Sequence, residues 1–332
     1  MHVTIKGDRP STMDRLDTNS DTNANTPFVQ ADMPCKKKSH AGKTRRYIAT
    51  AFFSLMIIVG LSLVLYPIIA NIQYQLGVSN IVTTYDDSVG SYAPEDLDRM
   101  WADAYAYNAE LGDPTIRDPF GYTDIVSPLD RYYDILNPDG SGMMGYVNVP
   151  SVGINLPIYH ATSEDVLQKG AGHIATTALP IDGTSIHPVI TGHTGIPDKV
   201  LFTNLDAVHI DDIFRIKILN KTFSYKVSRI DVVQPDDTNL LQPVAGKDEV
   251  TLLTCTPYGI NSERLLVTGI PTTEDTDAPV RGVPLAILPW LITLLCLAIV
   301  GLLVDGVIRR RALRMRNQAF AYRDNLTVGN RK

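Results

Sequence analysis

The sequence is poor in cysteine, with three in 332 residues. So few thiols exclude the small scaffolds that several disulfide bridges hold together. The chain also lacks a run of His, Cys, Asp or Glu with the spacing of metal ligands, so we expect no metal and no organic cofactor. It has no basic excess either, since 30 Lys and Arg stand against 36 Asp and Glu. Nucleic acids are bound by basic surfaces, so we expect no nucleic-acid partner.

Charge is missing altogether from two long apolar runs. Residues 47–70 (YIATAFFSLMIIVGLSLVLYPIIA) and 283–304 (VPLAILPWLITLLCLAIVGLLV) contain no Asp, Glu, Lys or Arg. Each is long enough to cross a hydrocarbon layer of about 30 Å as a helix. A cleaved signal peptide is the alternative for the first run, but its apolar part would be shorter and would begin nearer the N-terminus. The sequence therefore predicts two transmembrane helices.

Basic residues flank both predicted helices on their outer ends. They precede the first helix and follow the second: Lys36, Lys37, Lys38, Lys43, Arg45, Arg46, Arg309, Arg310, Arg311, Arg314 and Arg316. Because such residues stay on the cytoplasmic side, both termini are expected in the cytoplasm and the intervening segment outside the cell. Residues 71–284 carry 29 acidic and 13 basic side chains, so this extracellular part is strongly acidic.

Composition and periodicity divide the chain into seven parts. We expect a disordered cytoplasmic tail, a transmembrane helix, a helical region with a loop, a β-barrel domain, a linker, a second transmembrane helix and a basic cytoplasmic tail. Their bounds are 1–46, 47–70, 71–142, 143–272, 273–282, 283–304 and 305–332.

The barrel domain is predicted from a change of period. Residues 94–112 place Leu97, Trp101, Ala104, Tyr105 and Leu111 at helical spacing, and 163–170 indicates a short helix. Alternating or continuous apolar segments then predict strands. These segments are 145–160, 187–193, 212–219, 222–234, 249–256 and 264–271. The fold class is therefore mainly β, a small closed barrel of antiparallel or mixed strands.

One thiol, Cys255, lies in the extracellular segment. Cys35 falls in the cytoplasmic tail and Cys296 in the second transmembrane helix, so Cys255 has no disulfide partner within the chain. A lone exported thiol is either buried and inert or retained for its reactivity, and its own position in a strand leaves both readings open.

Two further residues could complete a catalytic site with this thiol. His193 ends an apolar strand between glycines in TGHTG, although loop hydrogen bonds alone could also explain it. Arg264 begins the strand after Cys255 and would return close to the thiol if the two strands pair, although an arginine on the solvent face is the simpler reading. The other histidines of the domain are His160, His173, His187 and His209.

The stretch TLLTCTPYGINSERLLVTG (251–269) resembles the signature of sortases, the cysteine transpeptidases of Gram-positive bacteria. The runs VPSVGINLPIYHAT and HPVITGHTGIPDKVLFTNLD are similar to strands of the class C, pilin-polymerising branch, and two flanking membrane helices match its arrangement. The chain departs from the common pattern at Thr194, where many relatives have a basic residue, and at Ala161, where glycine is common.

The resemblance implies a role for each candidate residue. Cys255 would be the nucleophile, His193 the general acid and base, and Arg264 the group that stabilises substrate and oxyanion. The lid motif of class C enzymes, Asp-Pro-aromatic, is matched by Asp118, Pro119 and Phe120, which would cover the site; by itself this segment is simply a turn. We refer to Asp118–Phe120 as the lid.

The implied activity is acyl transfer. The enzyme would cleave an LPxTG-like sorting signal between Thr and Gly through a thioester and pass the acyl group to an amine, such as a pilin lysine. Its partners would be surface proteins or pilins with that signal, an amine acceptor and the membrane. The alternatives are a housekeeping sortase that uses a cell-wall precursor, a cysteine protease that uses water, and a non-enzymatic membrane-anchored adhesin or receptor.

Overall fold

A computed structural model describes residues 41–112, 115–121 and 127–274, with helical residues at 295, 298–299, 301–302, 306 and 309–318. It contains two compact units, residues 1–58 and 59–332. In the first unit, the described residues are all helical. Most of the predicted cytoplasmic tails, of the linker and of the second transmembrane helix lies outside the described residues.

Helix α1 spans Ala41–Gly90 and so continues well beyond the predicted membrane segment. Within the described part of the chain, Ser54–Gly90 is the one stretch of helix long and apolar enough to cross a membrane. Near its C-terminal end, the buried Tyr85 hydroxyl donates a hydrogen bond to the Met144 carbonyl (2.6 Å) and accepts one from the Leu219 amide (2.8 Å). These bonds fix the end of α1 to the strands that follow.

Helix α2 spans Pro94–Glu110, close to its predicted bounds. Proline begins it because its missing N–H would have no partner in the first turn. Its buried residues are Leu97, Trp101, Ala104 and Tyr107. Tyr105 was predicted on this face, but it is exposed and its hydroxyl contacts Asp182; Tyr107 is buried instead, because it lies three residues beyond Ala104 on the same stripe.

The domain is a closed β-barrel, as predicted. Its strands are β1 (Met143–Val149), β2 (Ile154–His160), β3 (Ala171–His173), β4 (Val189–Thr191), β5 (Ile213–Ile218), β6 (Lys221–Val233), β7 (Val250–Thr256) and β8 (Glu263–Pro271). They follow the order β1-β2-β3-β4-β7-β8-β6-β5 around the barrel. Helix α3 (Glu164–Leu167) lies between β2 and β3. The β2–β3 and β4–β7 pairs are parallel and the other neighbours are antiparallel, so the barrel is mixed.

Apolar side chains at alternate positions of the strands fill the interior of the barrel. In β5, Phe214, Ile216 and Ile218 are fully buried and belong to the main core, whereas the intervening Arg215 and Lys217 are only partly buried. The segment 145–160 is divided into two antiparallel strands by a 3₁₀ turn at Pro150–Val152. Strand β3 was not predicted, since three residues are too few to show a period.

Candidate active site

The site is built on the pairing of β7 with β8. Cys255 and Arg264 occupy directly opposite positions of this antiparallel pair. Two residues before Cys255 and two after Arg264, Leu253 and Leu266 belong to a small apolar cluster separate from the main core. Because alternate residues of a strand share a face, Cys255 and Arg264 lie on the face that this second cluster covers.

Strand β4 brings His193 to the same end of the barrel. It runs parallel to β7, with Thr191 opposite Leu253. Beyond the strand, the Gly192 amide donates to the Leu253 carbonyl (3.2 Å), and the Thr254 hydroxyl donates to the Gly192 carbonyl (2.7 Å). The His193 carbonyl accepts a hydrogen bond from the Phe202 amide (3.0 Å). The main chain therefore holds His193 beside the end of β7 that carries the thiol.

Asp118 of the lid forms an ion pair with the guanidinium of Arg264. Asp118 accepts two parallel hydrogen bonds, from Nε at 2.7 Å and from Nη2 at 2.8 Å. Both side chains are more than nine-tenths buried. The remaining nitrogen, Nη1, donates to the carbonyls of Asn261 (3.1 Å) and Glu263 (2.9 Å). Every nitrogen of the guanidinium thus has an acceptor in this closed arrangement, and a bidentate pair of this kind fixes both groups in orientation.

The aromatic lid residue contacts two of the three candidate residues. The Phe120 ring lies 5.5 Å from the His193 ring, centroid to centroid, and 5.2 Å from Cζ of Arg264. Ile116, just before the lid, is buried in the second apolar cluster, and Phe120 packs against that cluster. Pro119 lies between Asp118 and Phe120, the two lid residues that make these contacts. The predicted lid and the predicted site residues are therefore in contact.

The closed site disfavours the thiolate. Burial, opposed by the Arg264 charge and assisted by the neighbouring Asp118 carboxylate, raises the pKa of Cys255 to about 11. At neutral pH the sulfur is therefore a thiol. A protonated thiol of this kind needs a change in its surroundings before it can react quickly.

The other candidate histidines serve the fold. Burial lowers the pKa of His173 to about 4, and its ring accepts or donates hydrogen bonds within the core. Burial also lowers the pKa of His160 and His187, whose rings contact main-chain carbonyls. His209 is exposed.

One contact at the site was not predicted. Oε2 of Glu164, in α3, lies 3.2 Å from Nε2 of His193. In the sequence, a glutamate after Ser163 indicates only the first turn of a helix, and nothing in the sequence indicates that two residues 29 positions apart are in contact. No group of three metal-ligating side chains is found among the described residues.

Comparisons with known proteins identify the family of the domain. The Sortase domain model matches residues 147–272. Curated sortases of types A and D match at 27–36% identity, and the chain covers 51–60% of their length.

Solved structures match more completely. Sortase C-1 of Actinomyces oris is 39% identical, with a TM-score of 0.52, over 55% of this chain and 100% of its own. Sortase C of Streptococcus pneumoniae is 37% identical, with a TM-score of 0.54, over 60% and 100%. A pilus-related sortase C of Group B Streptococcus is 40% identical, with a TM-score of 0.52, over 57% and 95%. The chain belongs to the sortase family of cysteine transpeptidases, and its structural neighbours include class C sortases.

Proposed function

We propose that the protein is a membrane-anchored class C sortase that joins pilins. It would cleave an LPxTG-like signal between Thr and Gly and transfer the acyl group to a pilin lysine. The observation that carries this proposal is the pairing of Cys255 with Arg264 beneath a lid whose Asp118 occupies the guanidinium. The structural neighbours support it, because one is described by its pilin substrate specificity and another as pilus-related.

The proposed chemistry has two acyl-transfer steps. The Cys255 sulfur, as thiolate, attacks the Thr carbonyl carbon, and Arg264 stabilises the oxyanion that forms. The C–N bond to Gly breaks as His193 gives a proton to the departing amine, which leaves a thioester. An incoming amine then loses a proton to His193 and attacks the thioester. An amide bond forms, the C–S bond breaks and the thiolate returns.

The proposed location is supported by the apolar segments. Helix α1 supplies one stretch that could cross a membrane and continues to Gly90, and its C-terminal half packs against the barrel domain. With the basic residues at its outer end, we place the catalytic domain on the extracellular face and both termini in the cytoplasm. A second span at 283–304 is part of this proposal.

The test uses the full chain in lipid nanodiscs with the lid opened by Asp118→Ala and Phe120→Ala. An LPxTG peptide should yield a thioester on Cys255 that mass spectrometry detects, and Cys255→Ala should abolish it. Replacement of His193 or Arg264 by Ala should reduce its formation at least about 100-fold. Absence of the thioester in the lid-open protein, or cleavage by Cys255→Ala, would refute the assignment.

The acceptor separates the related alternatives. A lysine-bearing pilin peptide and the amine of a cell-wall precursor are offered together to the acyl-enzyme. Preference for the lysine supports pilus assembly, and preference for the precursor amine indicates a housekeeping sortase. Release of free acid alone would indicate a protease, whereas no cleavage of any kind would indicate a binding protein.

A further inference from the structure

The imidazole of His193 has a partner outside the predicted site. Its Nε2 lies 3.2 Å from Oε2 of Glu164, the first residue of α3, while the ring packs against Phe120. Glu164 is exposed, and His193 is mostly buried, with 19% of its side chain accessible. A carboxylate reaches this ring from the solvent side.

The carboxylate is held in place by its own neighbours. The Gln168 amide donates to Oε1 of Glu164 at 2.7 Å, so both carboxylate oxygens are engaged, one by Gln168 and one by His193. This hydrogen bond from Gln168 is the main reason why the pKa of Glu164 lies below its ordinary value. The group is therefore a carboxylate at neutral pH, and its position is less free than its exposure alone implies.

Gln168 is in turn tied to the loop that follows His193. The Lys199 ammonium donates to the Gln168 carbonyl at 2.9 Å and lies 3.5 Å from its side-chain oxygen. The same ammonium lies 5.8 Å from the centre of the Tyr74 ring in α1. Contacts therefore run without a gap from α1 through Lys199, Gln168 and Glu164 to the imidazole.

Helix α1 also supports each side of this arrangement directly. The Tyr74 hydroxyl donates to the Lys169 carbonyl at 2.9 Å, next to Gln168. The Asn71 side-chain oxygen accepts from the Val200 amide at 3.0 Å, next to Lys199. One helix thus holds both the segment that carries Glu164 and the loop after His193, which keeps their separation fixed.

We propose that Glu164 is a positioning residue for His193. As an acceptor for the Nε2–H, the carboxylate fixes the tautomer of the neutral ring and leaves Nδ1 as the nitrogen that exchanges a proton with the reacting amine. When the ring is protonated during acyl transfer, the carboxylate balances its charge. This role rests on the proposed sortase chemistry, but the contact itself can be tested without it.

The kinetic test uses the full chain in nanodiscs with Asp118→Ala to open the lid, an LPxTG peptide and a lysine-bearing acceptor. Glu164→Gln keeps the shape and removes the charge. Because the pair is partly exposed, kcat should fall about three- to fivefold with an unchanged KM. The alkylation rate of Cys255 should stay the same, because the variant leaves burial and Arg264, which set the pKa of this thiol, in place. Asp165→Asn removes the adjacent exposed carboxylate of α3 and should leave kcat unchanged.

The dependence on His193 is tested by combining the variants. In a His193→Ala background, Glu164→Gln should cause no additional loss, because the two residues act as a unit. Three results would overturn the proposal. In the His193→Ala background, Glu164→Gln could lower kcat by the same factor as in the parent. Alternatively, Glu164→Gln alone could leave kcat unchanged, or Asp165→Asn could lower kcat as much as Glu164→Gln does.

Ring ¹⁵N NMR of the histidine-labelled full chain gives a readout independent of turnover. With the His193 signals assigned by their absence in His193→Gln, the parent should show the Nε2–H tautomer and Glu164→Gln a mixture. Identical spectra overturn the positioning role even if the enzyme is active. If Glu164→Gln alters the spectra but the lid-open protein forms no thioester, the contact between Glu164 and His193 is supported and only the proposed function is refuted.

Discussion

Opening the lid should activate the thiol, and the structure fixes the size of the effect. The change is the double variant Asp118→Ala with Phe120→Ala. It removes the carboxylate that holds Arg264 through two hydrogen bonds and the ring that contacts His193 and Arg264. In the closed protein, burial raises the pKa of Cys255 to about 11, with Asp118 adding to the effect. Both contributions decrease when the lid is lost.

The magnitude follows from the fraction of thiolate. At pH 7.5, a pKa of about 11 leaves roughly one sulfur in 3,000 ionised, whereas an exposed thiol near 8.5 has about one in ten. This is a gain of about 300-fold. A less basic thiolate is a weaker nucleophile, with a Brønsted coefficient of about 0.4–0.5. For this difference in pKa, the lower nucleophilicity reduces the gain in rate by a factor of about 10 to 18. Complete exposure of Cys255 should therefore speed alkylation about 20-fold, before any gain from access.

The assay is the second-order rate of Cys255 alkylation by iodoacetamide in the full chain, measured from pH 7 to 11. In the wild type, the rate should keep rising to about pH 11, because the raised pKa keeps the thiol protonated below it. In the lid-open variant it should level off nearer 8.5. Asp206→Ala, which removes an exposed carboxylate elsewhere, should behave as wild type. An unchanged rate and profile in the lid-open variant would show that the lid does not restrain the thiol.

Three stability predictions follow from the barrel. Gly145→Ala should destabilise the fold by about 3 kcal/mol or more in urea unfolding, since its Cβ would lie 2.0 Å from the Lys217 carbonyl oxygen, whereas Gly77→Ala meets no such contact and should not destabilise it. Ala161 has φ +62°, so Ala161→Gly should raise stability by about 0.5–1 kcal/mol; a loss would mean that its methyl packing matters more. Burial raises the pKa of Asp248 to about 6, above the value in the unfolded chain. The protonated carboxyl therefore favours the folded state below pH 4, and this stabilisation is lost as the pH rises through 6, where the buried group becomes charged. Asp248→Asn should therefore raise the thermal midpoint at pH 7.5 and not at pH 4, and an equal shift at both pH values would contradict the assignment.

The position of Arg264 beside Cys255 could be predicted because it depends on local pairing. Strands β7 and β8 are joined by a short loop, and each carries a long apolar run. Antiparallel neighbours joined in this way have few possible registers, and the register that forms sets Cys255 opposite Arg264. The resemblance to sortases supplied the roles, and it also identified the lid, which no periodicity distinguishes from a turn.

The contact of Glu164 with His193 could not be predicted, because it depends on closure of the barrel. It requires β3 to pair in parallel with β2 and antiparallel with β4. The apolar run at 187–193 predicted β4, but β3 has only three residues, too few to show a period, and the pairing of β3 with β2 and β4 cannot be read from the sequence. The misplacement of Tyr105 has a different reason, since two neighbouring tyrosines at 105 and 107 fit the helical stripe almost equally and tertiary packing chooses between them.

The lid and the substrate compete for the same guanidinium in the proposed mechanism. Arg264 can stabilise an oxyanion only when its Nε and Nη2 are released from Asp118. Separation of a buried ion pair that leaves one charge unpaired is unfavourable by about 3–5 kcal/mol, so the closed form predominates unless a replacement is provided. The substrate provides it, because the carbonyl oxygen that becomes the oxyanion accepts the released hydrogen bonds. Apparent substrate affinity should therefore fall by the fraction of open protein, and lid variants should lower KM as well as raise the reactivity of Cys255. A lid variant that speeds alkylation and leaves KM unchanged would separate thiol burial from substrate competition.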